Sequence, residues 1–342
     1  MNFSKNINID KNIKIGSNTP TFIIAEIGSN HNQSLKLAYK SIDAAVKAGA
    51  DTVKFQYLNY DKMYLDHTKN EKFRKFFKKI ELKKSWINKL LNYSNKKKIL
   101  FFYSSCFKDG IDLAKELKIK LNKIASPQFC SFPQLLNYSL NSNIITIAST
   151  GYSSFKEIEN TLKSLKDKKN LILLYCVSNY PTKVSDINLN DILKLKKKYN
   201  CIIGFSDHTM STLLPSLAVM KGARVIEKHL TLNRKLKGPD HGFALEPNEF
   251  KDMVKNIREI EKIKSKKKKI PYKLKSSFEI KLVYNKNYKK NEILSNLELS
   301  GLRTNEKGID IKNLKSLEKK YKLKFDKKKN ELIKWKDLTK VY

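Results

Sequence analysis

At 342 residues the chain has room for two domains, or for one large barrel with an appendage. Hydrophobic residues make up 40% and aromatics 10%, enough for a sizeable core, which excludes a mainly disordered chain. Lysine and arginine exceed aspartate and glutamate by 70 − 33, a formal net charge of +37, yet the lysine runs (Lys96–Lys98, Lys166–Lys169, Lys194–Lys198, Lys264–Lys269, Lys327–Lys329) are scattered, so they read as solvated faces and not as a specific nucleic-acid footprint.

From the N-terminus, residues 3–20 predict a small hairpin. Apolar, β-rich runs then alternate with stretches of helical period. The runs cover 21–28, 51–56, 99–105, 121–126, 143–150, 170–178, 201–207 and 224–231. The first helical stretch, 34–50, puts Leu35, Ala38, Ile42, Ala45 and Val46 on one face and ends near Gly49. Further helices are expected at 82–97, 108–118, 131–140, 154–167, 187–199 and 211–221, and a last one opens at Glu246 and Pro247. Eight strand–helix pairs in some 250 residues are the count and size of a (β/α)8 TIM barrel. The alternative, an open doubly wound sheet with a dinucleotide site, lacks a GxGxxG after the first strand.

The alternation stops near residue 262. Residues 263–276 are basic and polar with one proline, as expected of a linker between a barrel domain, 1–262, and a small α+β or β-clip unit, 277–342. In that unit 279–288 and 291–302 look strand-like and 311–323 looks helical. No run of 18 apolar residues predicts membrane insertion. The first twelve residues have no apolar segment of a secretory leader, and the four cysteines form no CxxC. Reduced thiols in the cytoplasm are therefore expected.

Barrel enzymes react at the C-terminal ends of their strands. There this sequence gathers Glu26, Lys54, Gln56, Ser104, Ser105, Lys123, Ser126, Ser149, Thr150, Ser178, Ser206, Asp207, His208, Lys228 and His229. Ser126, Ser149 and Asp207 also suit helix caps. His208 and His229 end the seventh and eighth strands, neighbours roughly 5 Å apart in a closed barrel. Together with Glu26 and Asp240 they suggest an N/O site for a manganese-like ion, and no cysteine falls at these positions; core packing is the other reading of the pair. The serines with Lys54, Lys123 and Lys228 suggest an anionic substrate, phosphate above all. Lys54 paired with Glu26 as a structural ion pair is the alternative. Carbon–carbon bond formation from a phosphorylated enol, an aldolase and a sugar-phosphate isomerase all remain open on spacing alone.

Residues 22–56, Ser149-Thr150-Gly151, Asn179-Tyr180-Pro181, GFSDHT (204–209), VIEKHLTLNR (225–234) and GPDHGFALEP (238–247) closely resemble the sialic acid synthase family, which includes N-acetylneuraminate, legionaminate and pseudaminate synthases. The C-terminal unit resembles the family's SAF, or antifreeze-like, domain. The resemblance implies condensation of phosphoenolpyruvate with an N-acetylated hexosamine, N-acetylmannosamine favoured, to a nonulosonic acid and phosphate. It implies that His208 and His229 hold Mn2+. It implies that Lys54, Ser105, Lys123, Ser126, Ser149 and Ser206 bind phosphoenolpyruvate. Glu26, Gln56 and Asp240 would orient the sugar and the attacking water, with Lys54 also counted among the catalytic groups. Gln128, Ser178, Tyr180 and Asp240 would face the sugar. It also implies a homodimer in which the C-terminal domain is swapped, so that Arg303 reaches the partner's barrel.

The sequence departs from the family pattern at several places. Ser105-Cys106-Phe107 stands for the usual Thr-Pro-Phe, and Ser126-Pro127-Gln128 for the Ser-Gly-Glu frequent in N-acetylneuraminate synthases. Ser178 stands where those enzymes often have Asn, which leaves a diacetamido-trideoxyhexose acceptor, and so a legionaminate or pseudaminate synthase, as the alternative. In the last unit Glu279-Ile280-Lys281-Leu282 replaces Arg-Arg-Ser-Leu. A catalytically dead assembly protein and a basic polyanion-binding protein are the non-enzymatic readings; the first predicts broken site residues, the second clustered basic residues.

Overall fold

The eight apolar runs do form eight parallel strands. In a computed structural model, which describes residues 1–64, 71–263, 278–295, 299–317 and 319–341, they close into one barrel. A two-stranded hairpin comes first, β1 (Asn6–Asn8) and β2 (Lys14–Gly16), with Ile7 opposite Ile15. The barrel strands are β3 (Phe22–Gly28), β4 (Thr52–Tyr57), β5 (Leu100–Ser105), β6 (Leu121–Ile124), β7 (Ile145–Ser149), β8 (Leu171–Cys176), β9 (Ile203–Asp207) and β10 (Val225–His229). Each pairs with the next in sequence, and β10 returns to β3. Ile7, Ile9 and Ile15 of the hairpin join the barrel's apolar core.

The helices are α1 (Leu35–Ala48), α2 (Tyr60–Met63), α3 (Glu71–Ile80), α4 (Lys84–Lys96), α5 (Lys108–Glu116), α6 (Ser126–Ser131), α7 (Pro133–Asn141), α8 (Phe155–Ser164), α9 (Asn190–Tyr199), α10 (Leu214–Met220) and α11 (Pro247–Ile263). In α1 the Ser34 hydroxyl caps the Leu37 N–H, and Ala38, Ile42 and Ala45 are fully buried. Gly49 ends the helix at φ +84°, where a side chain would be strained, and its N–H satisfies the carbonyls of Ala45 and Val46. In α8, Ser154 and Glu157 form a reciprocal capping box. No described helix is long and apolar enough to cross a membrane.

Two helices beyond those expected lie between β4 and α4. Phe73, Phe76, Phe77 and Ile80 of α3 fall at helical spacing on one face, and of these only Phe77 is buried. The other unforeseen helix, α6, starts on Ser126-Pro127 one residue after a four-residue strand.

The chain divides into two compact units, Met1–Ser265 and Lys266–Tyr342. The expected linker lies outside the described residues save for Ile263, the last residue of α11. The second unit pairs β11 (Ile280–Tyr284) with β12 (Leu299–Arg303), and, after the single turn α12 (Leu314–Leu317), β13 (Tyr321–Leu323) with β14 (Leu338–Lys340), both antiparallel. Its core is Leu282, Tyr284, Tyr288, Leu294, Ile309, Leu317, Leu323, Ile333 and Leu338. The helix expected over 311–323 stops at Leu317, because Leu323 is buried in this core from a strand, not from a helix face.

Candidate active site

Strand alternation decides which side chains meet. A cavity of about 280 Å³ opens at the C-terminal ends of the barrel strands. Glu26, Lys54, Gln56, Ser104, Lys123, Ser149, Cys176, Ser206, Glu227 and His229 reach it from all eight strands, two residues apart on β4 and on β10. Ser126, Gln128, Tyr152, Tyr180 and His208 complete the wall from the following loops and α6.

The floor is charged and buried. Lys54 Nζ lies 3.0 Å from Glu26 Oε2 and 3.4 Å from Glu227 Oε2. Lys123 Nζ lies 2.9 Å from Glu227 Oε1, which also accepts from the Ser206 hydroxyl at 2.8 Å. Gln56 Nε2 donates to Glu26 Oε1 at 2.8 Å. All four charged side chains are at most 5% exposed. Burial raises the pKa of Glu26, with Lys54 opposing. Burial also works against ionised Glu227, but Lys123 and Lys54 outweigh it and hold the carboxyl well below its usual range. Burial likewise lowers Lys123, against the pull of Glu227. An anion entering here meets two ammonium groups in a low-dielectric setting, where each contact is stronger than in water.

Beside this floor stand the two histidines, with ring centroids 5.5 Å apart. The rings of Tyr180 and Phe243 pack against them, at 4.2 Å from His208 and 4.9 Å from His229 respectively. Burial lowers the pKa of His208 to about 4 and of His229 to about 3, so both rings are neutral at physiological pH. His208 Nδ1 sits 3.0 Å from the Val177 carbonyl, which can only accept, so Nδ1 carries the hydrogen and Nε2 keeps its lone pair. His229 Nδ1 is buried with no hydrogen-bond partner among the described residues. Two neutral imidazoles, His208 oriented by a backbone carbonyl, fit a divalent cation. Among the described residues no cluster of three or more His, Cys, Asp and Glu could hold a metal ion, so an ion here would keep most positions for water or substrate. The sequence places no cysteine at the histidine positions, yet the fold brings Cys176 Sγ within 3.8 Å of His208 Nδ1. That is the hydrogen-bearing side of the ring, and burial keeps the thiol protonated.

Several expected residues sit elsewhere. Ser105 turns its hydroxyl away from the cavity and donates to the Phe107 carbonyl at 2.8 Å, while Ser104 lines the wall. Lys228 points out of the barrel, 2.6 Å from Asp207 Oδ2, so it is not free to meet an anion in the cavity. Asp240 stands beside the wall: its Oδ2 accepts from the Ser29 hydroxyl, and a Cβ on Gly28 would touch both it and Glu26. Ser178 lies behind Gly151, where a Cβ would come within 2.3 Å of its hydroxyl. Arg303 ends β12 in the other unit, its guanidinium 5.6 Å over the Phe278 ring. None of the suggested caps is made: Ser126 accepts from the Gly151 N–H, Ser149 has no partner among the described residues, and Asp207 holds Thr209 N–H and Lys228.

Glu227 is the residue that sequence reasoning missed. The signal was present, because it stands two residues before His229 on one strand and must share its face.

A protein of Methanocaldococcus jannaschii of undescribed activity is 36% identical over 330 residues, covering 95% of this chain and 96% of its own. N,N'-diacetyllegionaminic acid synthase of Campylobacter jejuni is 35% identical over 308 residues, 83% of this chain and 90% of its own. The crystal structure of N-acetylneuraminic acid synthetase from Leptospira borgpetersenii superposes with a TM-score of 0.72 at 38% identity, covering 80% of this chain and 95% of that one. Residues 41–269 match the model of the NeuB family, and the chain belongs to that family.

Proposed function

We propose that the protein condenses phosphoenolpyruvate with an N-acetylated hexosamine to give a nonulosonic acid and phosphate. The observation that carries this is a single cavity in which two buried lysines share one carboxylate beside a pair of neutral histidines. Lys54, Lys123, Ser126, Ser149 and Ser206 bind the phosphate and carboxylate, with Ser104 standing in for Ser105. C3 of phosphoenolpyruvate forms a bond to the aldehyde carbon, whose oxygen takes up a proton. Water then adds at C2 with loss of a proton, and the new C2 hydroxyl becomes the keto carbonyl as the C2–O bond to phosphate breaks, its proton leaving with phosphate. The lysines stabilise the charge that leaves with phosphate. Glu26, held by Gln56 and Lys54, and Asp240 at the rim orient the water and the sugar. When bound by His208 and His229, a divalent ion, manganese in this reading, supplies Lewis-acid polarisation of the aldehyde. Tyr180 and Gln128 line the sugar side. Arg303 reaches the sugar from a partner chain in a swapped homodimer. Free thiols and a phosphorylated metabolite as substrate suit the cytoplasm.

N-acetylmannosamine is the favoured acceptor. Gln128 in the cavity wall, where a carboxylate is frequent in N-acetylneuraminate synthases, and the similarity to a diacetyllegionaminic acid synthase favour a diacetamido-trideoxyhexose as the second reading. The test is phosphate release from phosphoenolpyruvate by purified protein with Mn2+ and a panel of hexosamines. His208→Ala and His229→Ala are expected to stay folded and lose turnover. Full activity in excess chelator, or no release with any acceptor, sinks the proposal.

A further inference from the structure

The two cavity lysines do not come from neighbouring strands. Lys54 is on β4 and Lys123 on β6, with β5 between them, and the group that joins them comes from β10. Glu227 crosses the barrel lumen to do so. One of its oxygens takes the Lys123 ammonium and the Ser206 hydroxyl, and the other faces Lys54 at 3.4 Å without forming a hydrogen bond among the described residues. Lys54 has a second carboxylate in Glu26, but Glu227 is the only acidic side chain within ion-pair distance of Lys123 among the described residues. Glu227 is itself fixed: Ser206 is its register partner on β9, and the side chain is 4% exposed.

A long lysine side chain in a cavity carries much rotamer freedom. Two such side chains grip an oxyanion well only if their ammonium groups are already spaced for it. A carboxylate between them does this, with one consequence: it competes for the same two cations, so the resting site binds an anion less tightly than two unpaired lysines would. The floor gives up ground-state affinity for alignment.

We propose that Glu227 is a positioning residue whose carboxylate spaces the ammonium groups of Lys54 and Lys123 across the barrel lumen, so that together they form one oxyanion clamp. This deepens the synthase reading, and it is tested by a measurement that does not need turnover. Inorganic phosphate is the probe, titrated calorimetrically into the full-length protein and into Glu227→Gln and Glu227→Asp. The amide keeps the length and the Ser206 bond but removes the charge; the aspartate keeps the charge but loses reach. Glu227→Gln is expected to bind phosphate at least as tightly as the parent. Its kcat is expected to fall about 30-fold or more, while KM for phosphoenolpyruvate is unchanged or lower. Glu227→Asp loses kcat without tighter phosphate binding. A merely structural role would lower the yield of folded protein and leave the relation between kcat and KM as it was. Weaker phosphate binding by Glu227→Gln, or a kcat within about threefold of the parent, overturns the proposal. If no acceptor supports phosphate release by the parent, the synthase reading fails, and the phosphate titrations alone decide the clamp: tighter or equal binding by Glu227→Gln supports it, weaker binding refutes it.

Discussion

Asp207 and Lys228 form an ion pair of 2.6 Å on the outer side of the barrel wall, with both side chains at most 1% exposed. Each adjoins a cavity residue: Asp207 lies between Ser206 and His208, and Lys228 between Glu227 and His229. The pair therefore sits one residue out of phase with the chemistry. Its ammonium also donates to the Thr209 carbonyl, which ties the loop after β9 to β10. Lys228→Met leaves Asp207 buried without its cation, and stability is expected to fall by about 3–5 kcal/mol. The fraction that folds should show the parent KM for phosphoenolpyruvate. Denaturant titration with steady-state kinetics checks this; a raised KM at unchanged stability would put Lys228 in the substrate site after all.

The barrel was legible because its strands are short apolar runs at regular spacing, and because a closed parallel sheet buries both faces. Which polar residue faces inward was less legible, since strand ends carry adjacent polar residues and a shift of one residue exchanges lumen for outer wall. That shift separates Ser104 from Ser105 and Glu227 from Lys228. Helix α3 was legible in the spacing of Phe73, Phe76, Phe77 and Ile80 and was overlooked, whereas α6 was hidden by its start at Ser126-Pro127, one residue after strand β6. Ser126 and Ser149 resembled caps in sequence, yet the fold turns both toward the cavity.

His31 gives a pH prediction outside the lysine floor. Its ring is fully buried against Phe55 and Trp86, and Nδ1 accepts from the Gln33 N–H, which leaves Nε2 buried without a partner among the described residues. Burial lowers its pKa to about 4, and Asp240 offsets this only in part. The unfolded chain, with an ordinary histidine, then binds more protons than the folded one between about pH 6.5 and 4. The stability is fully present above that window and is lost as pH falls through it, amounting to about 2 kcal/mol at pH 5. Urea unfolding at pH 7.5 and pH 5 should show the parent losing this much more than His31→Gln. Parallel losses in both proteins would remove His31 as the cause.

Gln128 lines the cavity with its carbonyl oxygen buried and unpartnered among the described residues. A neutral amide there suits an acceptor that offers an N–H or O–H donor, whereas a carboxylate would add charge to the sugar wall. Gln128→Glu is expected to shift the ratio of kcat/KM toward N-acetylmannosamine over a 2,4-diacetamido-trideoxyhexose by about 10-fold, some 1.4 kcal/mol. Parallel kinetics on the two sugars check it. A parent preference beyond about 100-fold for the diacetamido sugar, some 2.7 kcal/mol, would reverse the favoured acceptor. An unchanged ratio in Gln128→Glu would take this residue out of sugar recognition.

Arg303 ends an edge strand of the small unit and is exposed, with the Phe278 ring beneath its guanidinium. A guanidinium suits the N-acetyl carbonyl of a sugar, a neutral acceptor that gains more from a directional fork than from a point charge. If the arginine serves the barrel of a partner chain, two inactive variants should rescue each other. Arg303→Ala keeps an intact barrel, and His229→Ala keeps an intact arginine. After subunit exchange in an equal mixture, about a quarter of all sites combine a good barrel with a good arginine, and activity should return to about that fraction of the parent. An arginine acting within its own chain cannot be supplied by another molecule, so mixing would then add nothing to the sum of the two variants. Sedimentation as a monomer at assay concentration would remove the partner before the mixing begins.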